Sequence, residues 1–68
     1  MKVTVVGLGK IGLPLAVQFA RSGVEVIGAD TNPAVVDLVN AGKEPFPGEA
    51  HLQEYLADVV SVGTLTAT

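Results

Sequence analysis

The sequence predicts an α/β fold built on a parallel sheet of two to three strands, with elements in the order β-α-β-α-α-β. Three features predict it. A β-branched apolar segment opens the chain at residues 3–6, a second one covers residues 24–29, and a helix-length amphipathic segment separates them. Because that spacer has room for one crossover helix, we expect the two strands to be parallel neighbours.

The first strand and the first helix follow from residue type and periodicity. The strand, residues 3–6, is almost continuously apolar, which is typical of strands covered by helices on both faces. The helix is expected over residues 11–22, with Pro14 in its first turn and Gly23 as a left-handed C-terminal cap. Its predicted buried stripe comprises Ile11, Leu15, Ala16, Phe19 and Ala20.

The second strand, residues 24–29, ends at an acidic residue, Asp30. Asn32 is a good N-cap and Pro33 a good first helical residue, so a second helix is expected from Pro33 to just before Gly42. Its predicted apolar stripe is Val35, Leu38 and Val39.

The rest of the chain predicts a loop, a helix and a strand. Two prolines and a glycine in residues 43–48 exclude a helix there. Residues 49–60 carry an apolar face at helical spacing, and residues 64–68 alternate like a strand. The predicted face of this third helix is Leu52, Tyr55, Leu56 and Val59.

Composition limits the partners and the chemistry. With 68 residues the chain is one small domain at most, and its net charge of −3 with only four Lys and Arg argues against nucleic acid or an anionic membrane surface as a partner. There is no cysteine, so no disulfide, and no cluster that suits a metal ion. No apolar stretch approaches the roughly 18 residues of a membrane span, and we expect a cytoplasmic protein.

The turn after the first strand carries the candidate ligand site. Gly7, Gly9 and Gly12 have the spacing G-x-G-x-x-G. That spacing alone is a weak signal. A strand before it, a helix after it and Asp30 at the end of the second strand together match a dinucleotide-binding βαβ unit, and so predict a partial Rossmann fold.

Each glycine has a separate expected role. Gly7 allows a tight turn out of the strand, Gly9 lets the backbone approach a pyrophosphate, and Gly12 lets the helix pack closely on the strand. The phosphates are expected at the helix N-terminus, against free N–H groups from about residue 10 to residue 13. The alternative is that the glycines merely form a tight strand–helix turn.

Asp30 is expected to accept hydrogen bonds from the adenosine ribose. Its carboxylate repels a 2′-phosphate and no arginine follows it, so NAD is predicted rather than NADP. A plain turn or cap role is the alternative for Asp30. Lys10 is expected to be solvent-exposed rather than to contact phosphate, and His51 to be solvent-exposed rather than catalytic. Tyr55 lies in an apolar stripe and is expected to pack in the core. The predicted cofactor-binding residues are Gly7, Leu8, Gly9, Lys10, Ile11, Gly12, Asp30 and Thr31.

A family resemblance makes this prediction more specific. Residues 5–16 (VVGLGKIGLPLA) and 24–33 (VEVIGADTNP), with residues 40–43 and 47–48, resemble the N-terminus of the UDP-sugar 6-dehydrogenases, which include UDP-glucose and UDP-N-acetylmannosamine dehydrogenases. The resemblance covers essentially the whole chain. It implies NAD contacts from the glycine loop and Asp30, and oxidation of a sugar primary alcohol to a carboxylate with two NAD.

The chain also departs from that family. Members are several times longer and use a cysteine nucleophile, a central helix and a second nucleotide-binding domain. Residues 1–68 therefore read as the N-terminal portion of a dinucleotide-binding domain, with no catalytic residue and no metal ligand, and inactive by themselves. Many members have an aromatic residue at the position of Lys10, which leaves that side chain without an assigned role.

Two other function classes share the glycine loop. One is another NAD-dependent dehydrogenase, of the 6-phosphogluconate or hydroxyacyl-CoA type. The other is a non-enzymatic nucleotide-sensing module of the kind that gates potassium channels. The Leu13-Pro14 pair and the loop at residues 43–48 favour the UDP-sugar enzymes.

The first strand is also a predicted point of self-association. In a complete doubly wound sheet the first strand is central and pairs with another strand at each of its two edges. In this chain no strand is expected at the edge that faces away from the second strand. The free edge of the first strand would then attract a second copy of the chain, and NAD binding would be weak.

Overall fold

The structure is a computed structural model that describes residues 1–46 and 50–68. Pro47, Gly48 and Glu49, where a loop and a helix start are predicted, lie outside the described residues. The elements follow the predicted order β-α-β-α-α-β. They are β1 (Lys2–Val6), α1 (Gly12–Arg21), β2 (Glu25–Ala29), α2 (Pro33–Asn40), α3 (Leu52–Val62) and β3 (Leu65–Ala67).

The sheet is parallel, with strand order β1-β2-β3, as predicted. Val26 in the central strand lies between Val3 and Leu65, and Gly28 lies between Val5 and Ala67. This register brings the carboxyl ends of all three strands to one edge. The turn after β1 and Asp30 after β2 therefore lie beside each other.

The core lies on one face of the sheet, between the strands and the helices. Alternate residues of β2 and β3, such as Val26 and Leu65, point into it. Its buried hydrophobic residues are Val5, Leu8, Leu13, Ala16, Val17, Ala20, Val26, Val39, Leu52, Leu56, Val59, Leu65 and Ala67.

The prediction that β1 is covered on both faces is wrong. Val5 is buried, but Thr4 is exposed and Val6 is 84% exposed. Successive side chains of a strand point to opposite faces, and here only one face has its side chains buried. The unbroken apolar run of β1 therefore supplies one buried side and one solvent-facing side.

The predicted buried stripe of α1 is right only for its two alanines. Ala16 and Ala20 are buried, whereas Ile11, Leu15 and Phe19 are 85%, 44% and 38% exposed. The helix turns a different face inward, formed by Leu13, Ala16, Val17 and Ala20. Small alanines on that face allow the helix to lie close to the sheet, which turns the larger side chains outward.

Helix α2 confirms its predicted cap but not its whole stripe. The Asn32 side chain accepts a hydrogen bond from the N–H of Ala34 (3.0 Å), with Pro33 as the first helical residue. Val39 is fully buried and Val35 packs against the core, but Leu38 is 37% exposed. The short helix covers one edge of the sheet, so only part of the stripe meets another element.

Helix α3 confirms its predicted apolar face. Its buried residues are Leu52, Leu56 and Val59, and Tyr55 is half-buried against the core. The guanidinium of Arg21 lies 3.5 Å from the centroid of the Tyr55 ring, and His51 is exposed. Tyr55 thus has the expected packing role. None of the helices within residues 1–46 and 50–68 is long and apolar enough to cross a membrane.

The Asn40 side chain closes the outer edge of β3. Its Nδ2 donates to the carbonyl oxygen of Ala67 (2.9 Å), and its Oδ1 accepts from the N–H of Ala67 (2.8 Å). The amide therefore occupies both main-chain groups that Ala67 turns away from β2, as a neighbouring strand would. Among the described residues, no side chain does the same for β1.

Candidate functional site

The glycine loop begins as a continuation of β1. The N–H of Gly7 donates to the carbonyl oxygen of Ala29 (2.7 Å), which extends the pairing of β1 with β2 by one residue. Gly7 then adopts a φ of +93°, a left-handed conformation that residues with a Cβ rarely adopt. The predicted tight turn out of the strand is thus present at Gly7.

Gly12 brings the helix back against that turn. A Cβ built on Gly12 would lie 1.8 Å from the carbonyl oxygen of Gly7 and 3.0 Å from its carbonyl carbon. Both contacts are with backbone, which cannot rotate away as a side chain can. The start of α1 can therefore approach the end of β1 only because residue 12 has no side chain.

Gly9 lies at the open side of the loop. No atom lies within 4 Å of a Cβ built on it, and its φ is not in the left-handed region. A side chain would therefore strain nothing in the protein itself. The space beside Gly9 is available to a ligand.

The helix N-terminus offers hydrogen-bond donors next to that space. In the described part of the chain, the N–H groups of Lys10, Ile11 and Gly12 have no intramolecular acceptor. The N–H of Leu13, which was also predicted to be free, instead donates to the carbonyl oxygen of Gly9 (3.0 Å). Free N–H groups and the helix dipole favour an anion at this end of α1.

Asp30 lies directly after β2 and faces the glycine loop. Its Oδ2 accepts a hydrogen bond from the N–H of Leu8 (2.9 Å), and its Oδ1 accepts one from the N–H of Asn32 (2.8 Å). The hydrogen bonds from Asn32 and then from Leu8 lower the pKa of Asp30, against a smaller opposing effect of burial. Asp30 is therefore a fixed carboxylate. Each oxygen keeps one lone pair for a ligand hydroxyl.

Leu8 contributes to the site in a way that the sequence pattern does not reveal. Its side chain is only 1% exposed and fills the space where Gly28 would carry a Cβ, 2.6 Å from Leu8 Cδ2. A glycine inside a predicted strand is a recognised sign of close approach by another part of the chain. Gly28, a glycine within the predicted second strand, could therefore have indicated this contact from the sequence.

Gly7 and Asp30 border an open cleft of about 390 Å³ at the carboxyl ends of the strands. In open α/β sheets, ligands bind at this end. The cleft is lined by Val6, Gly7, Ala29, Asp30, Thr31 and Thr68. Thr68 joins it because its carbonyl oxygen accepts the N–H of Asp30 (3.1 Å), a contact that the sequence prediction missed.

The structure thus brings all eight predicted cofactor-binding residues to one end of the sheet. Lys10, Ile11 and Thr31 are exposed around the loop and the cleft, whereas the side chain of Leu8 is turned into the core. His51 lies at the start of α3, a different part of the chain. Within the described ranges, no three His, Cys, Asp or Glu residues are grouped as a metal site requires.

Comparison with known proteins identifies similar sequences and structures. The sequence model of the UDP-glucose/GDP-mannose dehydrogenase family, NAD binding domain, matches residues 1–68. The chain is 40% identical over 68 residues to a UDP-N-acetyl-D-mannosamine dehydrogenase of Pyrococcus horikoshii, covering 100% of this chain and 16% of that relative. It is 38% identical to a GDP-mannose 6-dehydrogenase of Azotobacter vinelandii, again over 100% of this chain and 15% of the relative.

A solved structure shows the same arrangement. The GDP-mannose dehydrogenase of Pseudomonas aeruginosa, solved as a ternary complex, matches with a TM-score of 0.95 at 35% identity, covering 100% of this chain and 15% of that one. The chain thus spans 15–16% of the length of these relatives.

Proposed function

The chain belongs to the UDP-glucose/GDP-mannose dehydrogenase family, whose NAD-binding-domain model matches residues 1–68, and from this premise we propose that the glycine loop and Asp30 form its NAD site. Gly9 carries the proposal: it leaves an empty space within the loop, next in the chain to the free N–H groups of residues 10–12 at the start of α1. That space suits the pyrophosphate of NAD. The Asp30 carboxylate, with its two spare lone pairs, suits the hydroxyls of the adenosine ribose.

The proposed reaction is that of a nucleotide-sugar dehydrogenase. NAD, when bound, would supply the hydride acceptor. Loss of hydride from the sugar carbon and of a proton from its 6-hydroxyl would give the aldehyde, and after addition of water a second hydride transfer to a second NAD would give the carboxylate, with release of protons. We propose a UDP-sugar as the substrate of the whole enzyme, with the substrate site and the catalytic groups outside residues 1–68. Residues 1–68 are then the N-terminal portion of the dinucleotide-binding domain, inactive by themselves.

The cellular compartment of this reaction and the use of its product belong to the same proposal. NAD and nucleotide sugars are available in the cytoplasm, where we place the enzyme, and the uronic acid product suits polysaccharide synthesis. The relatives named above are nucleotide-sugar dehydrogenases, so they favour this hypothesis over a 6-phosphogluconate or hydroxyacyl-CoA type of enzyme and over a nucleotide-sensing module.

Cofactor choice is the first prediction. We expect the chain to bind NAD at least about tenfold more tightly than NADP, because a 2′-phosphate would lie against the Asp30 carboxylate. Asp30→Ala should weaken NAD binding by a similar factor, measured by calorimetric or fluorescence titration of the full chain.

Asp37→Ala is the matched control for this prediction. It removes the same charge from an exposed position on α2, away from the cleft, and should leave NAD binding unchanged. Tighter binding of NADP than of NAD to the unaltered chain would show that Asp30 has been given the wrong role.

We also propose that residues 1–68 self-associate through β1. The edge of β3 is closed by Asn40, whereas β1 lies at the other end of the sheet, with Val6 84% exposed. Unpaired main-chain groups on such an edge favour pairing with another copy. In sedimentation velocity runs, we expect the sedimentation coefficient to rise with protein concentration.

Thr4 and Thr66 provide a matched pair of variants for this prediction. Both are exposed, and both lie beside Ile27 in the sheet, one on β1 and one on β3. Thr4→Lys should reduce association because a charge on the edge strand opposes pairing, and Thr66→Lys should not. A chain that stays monomeric over the whole concentration range would exclude the proposal, and equal effects of the two variants would exclude the β1 edge.

A further inference from the structure

We propose that Leu8 and Asp30 form a latch that positions the glycine loop, so that the carboxylate assigned to the ribose also holds the phosphate-binding backbone in place. The inference rests on the proposed NAD site and adds a second role for Asp30 within it. Leu8 becomes a positioning residue, because its side chain lies in the core rather than in the cleft.

The first half of the latch is a hydrogen bond across the site. The N–H of Leu8 donates to Asp30 Oδ2 (2.9 Å), and the N–H of Asn32 donates to Asp30 Oδ1 (2.8 Å). The second bond fixes the orientation of the carboxylate, so the first is not a chance contact of a rotating side chain. The N–H of Leu8 belongs to the Gly7–Leu8 peptide, so this bond fixes the backbone one residue before Gly9 and the proposed phosphate site.

The second half is a packing contact made by the same residue. The Leu8 side chain occupies the space over Gly28, where a Cβ would lie 2.6 Å and 3.1 Å from its two methyl carbons. Gly28 lies near the end of β2, and Asp30 directly follows that strand, two residues further along the chain. Leu8 is therefore held at its side chain and at its N–H by one short segment of the chain.

The latch changes how the site discriminates between cofactors. Ribose hydroxyls can donate to the free lone pairs of Asp30 while the Leu8 bond stays intact. A 2′-phosphate has to displace the carboxylate, and that releases the N–H of Leu8 and loosens the loop that should bind the pyrophosphate. Discrimination against NADP therefore combines charge repulsion with loss of loop order, and removing the charge at position 30 does not by itself create an NADP site.

The test first measures the hydrogen-exchange protection of the Leu8 amide without cofactor, and then the binding of NAD and NADP. Backbone amide hydrogen exchange is followed by NMR in the full chain and in Asp30→Ala and Asp30→Asn. The N–H of Val26 donates to the carbonyl oxygen of Thr64, the residue just before β3 (2.7 Å). Its exchange reports on global opening and serves as the internal reference.

In the unaltered chain, the Leu8 amide should exchange more slowly than the Lys10 amide, which has no acceptor in the described part of the chain. Asp30→Ala should speed Leu8 exchange relative to Val26 by about tenfold or more, the loss expected for a hydrogen bond to a charged group. Asp30→Asn keeps one acceptor oxygen, and should restore part of the Leu8 protection. With cofactor, Asp30→Ala should bind both NAD and NADP more weakly than the unaltered chain binds NAD.

Three results would overturn the latch: unchanged Leu8 exchange in Asp30→Ala, equal loss of protection in the Ala and Asn variants, or an Asp30→Ala chain that binds NADP as well as the unaltered chain binds NAD. Failure of the NAD site itself has a different signature. The unaltered chain would then bind no NAD, whatever the exchange of Leu8.

Discussion

Gly12→Ala should remove both the glycine-loop conformation and NAD binding, with a large loss of stability. The added methyl carbon would lie 1.8 Å from the carbonyl oxygen of Gly7, and 3.6 Å from the side chain of Val5. The close neighbour is backbone at the end of β1, so either the strand end or the start of α1 has to move. We expect a cost of about 3 kcal/mol or more in the free energy of unfolding.

Urea denaturation followed by circular dichroism measures this cost, and an NAD titration measures the loss of binding. Because the chain is small and only marginally stable by size, Gly12→Ala should be largely unfolded without denaturant. An unfolding midpoint equal to that of the unaltered chain, with NAD still bound, would show that the helix start is not held against the turn.

Gly9→Ala should leave the fold intact and weaken only NAD binding, whereas Gly12→Ala should lose both. No atom lies within 4 Å of the added carbon, and the residue is not left-handed. The fold should therefore be unchanged or stabilised by about 0.4–1 kcal/mol, since alanine reduces the freedom of the unfolded chain. The methyl group projects into the proposed pyrophosphate space, where a clash of about 1–3 kcal/mol weakens NAD binding roughly 5- to 150-fold.

The two alanine variants control for each other. They add the same methyl group to the same loop, one against the backbone of the protein and one into the space assigned to the ligand. If Gly9→Ala binds NAD normally, the pyrophosphate does not lie beside Gly9. If it unfolds the chain as Gly12→Ala does, the loop is more tightly packed than these contacts indicate.

Much of the fold could be predicted because it depends on local pattern. The order of elements, the parallel pairing and the Asn32 cap follow from periodicity, spacing and capping chemistry. The buried face of α1 could not, since hydrophobic residues lie on more than one side of that helix. Spacing favoured the side with Leu15 and Phe19, whereas close packing on the sheet selected the side with Leu13 and Val17.

The candidate site, like the fold, could be predicted from the sequence only in part. The positions of Gly7, Gly12 and Asp30 were predictable because a known backbone motif fixes them relative to one another. The latch depends on contacts between residues about 20 positions apart, and it joins Leu8 to Gly28 through the core. Only Gly28, an unexplained glycine within a strand, hinted at it in the sequence.

The NAD site is tested most directly by an NMR titration of the full chain with NAD, which reports on the backbone amides individually. We expect the shifts to concentrate at residues 9–12 and at Asp30, the residues that carry the proposed phosphate and ribose contacts. A second cleft, between α1 and α3 and lined in part by Gln18 and Tyr55, should show no shifts. Shifts confined to that cleft, or no shifts in the glycine loop at saturating NAD, would contradict the assignment of the loop and Asp30 as the NAD site.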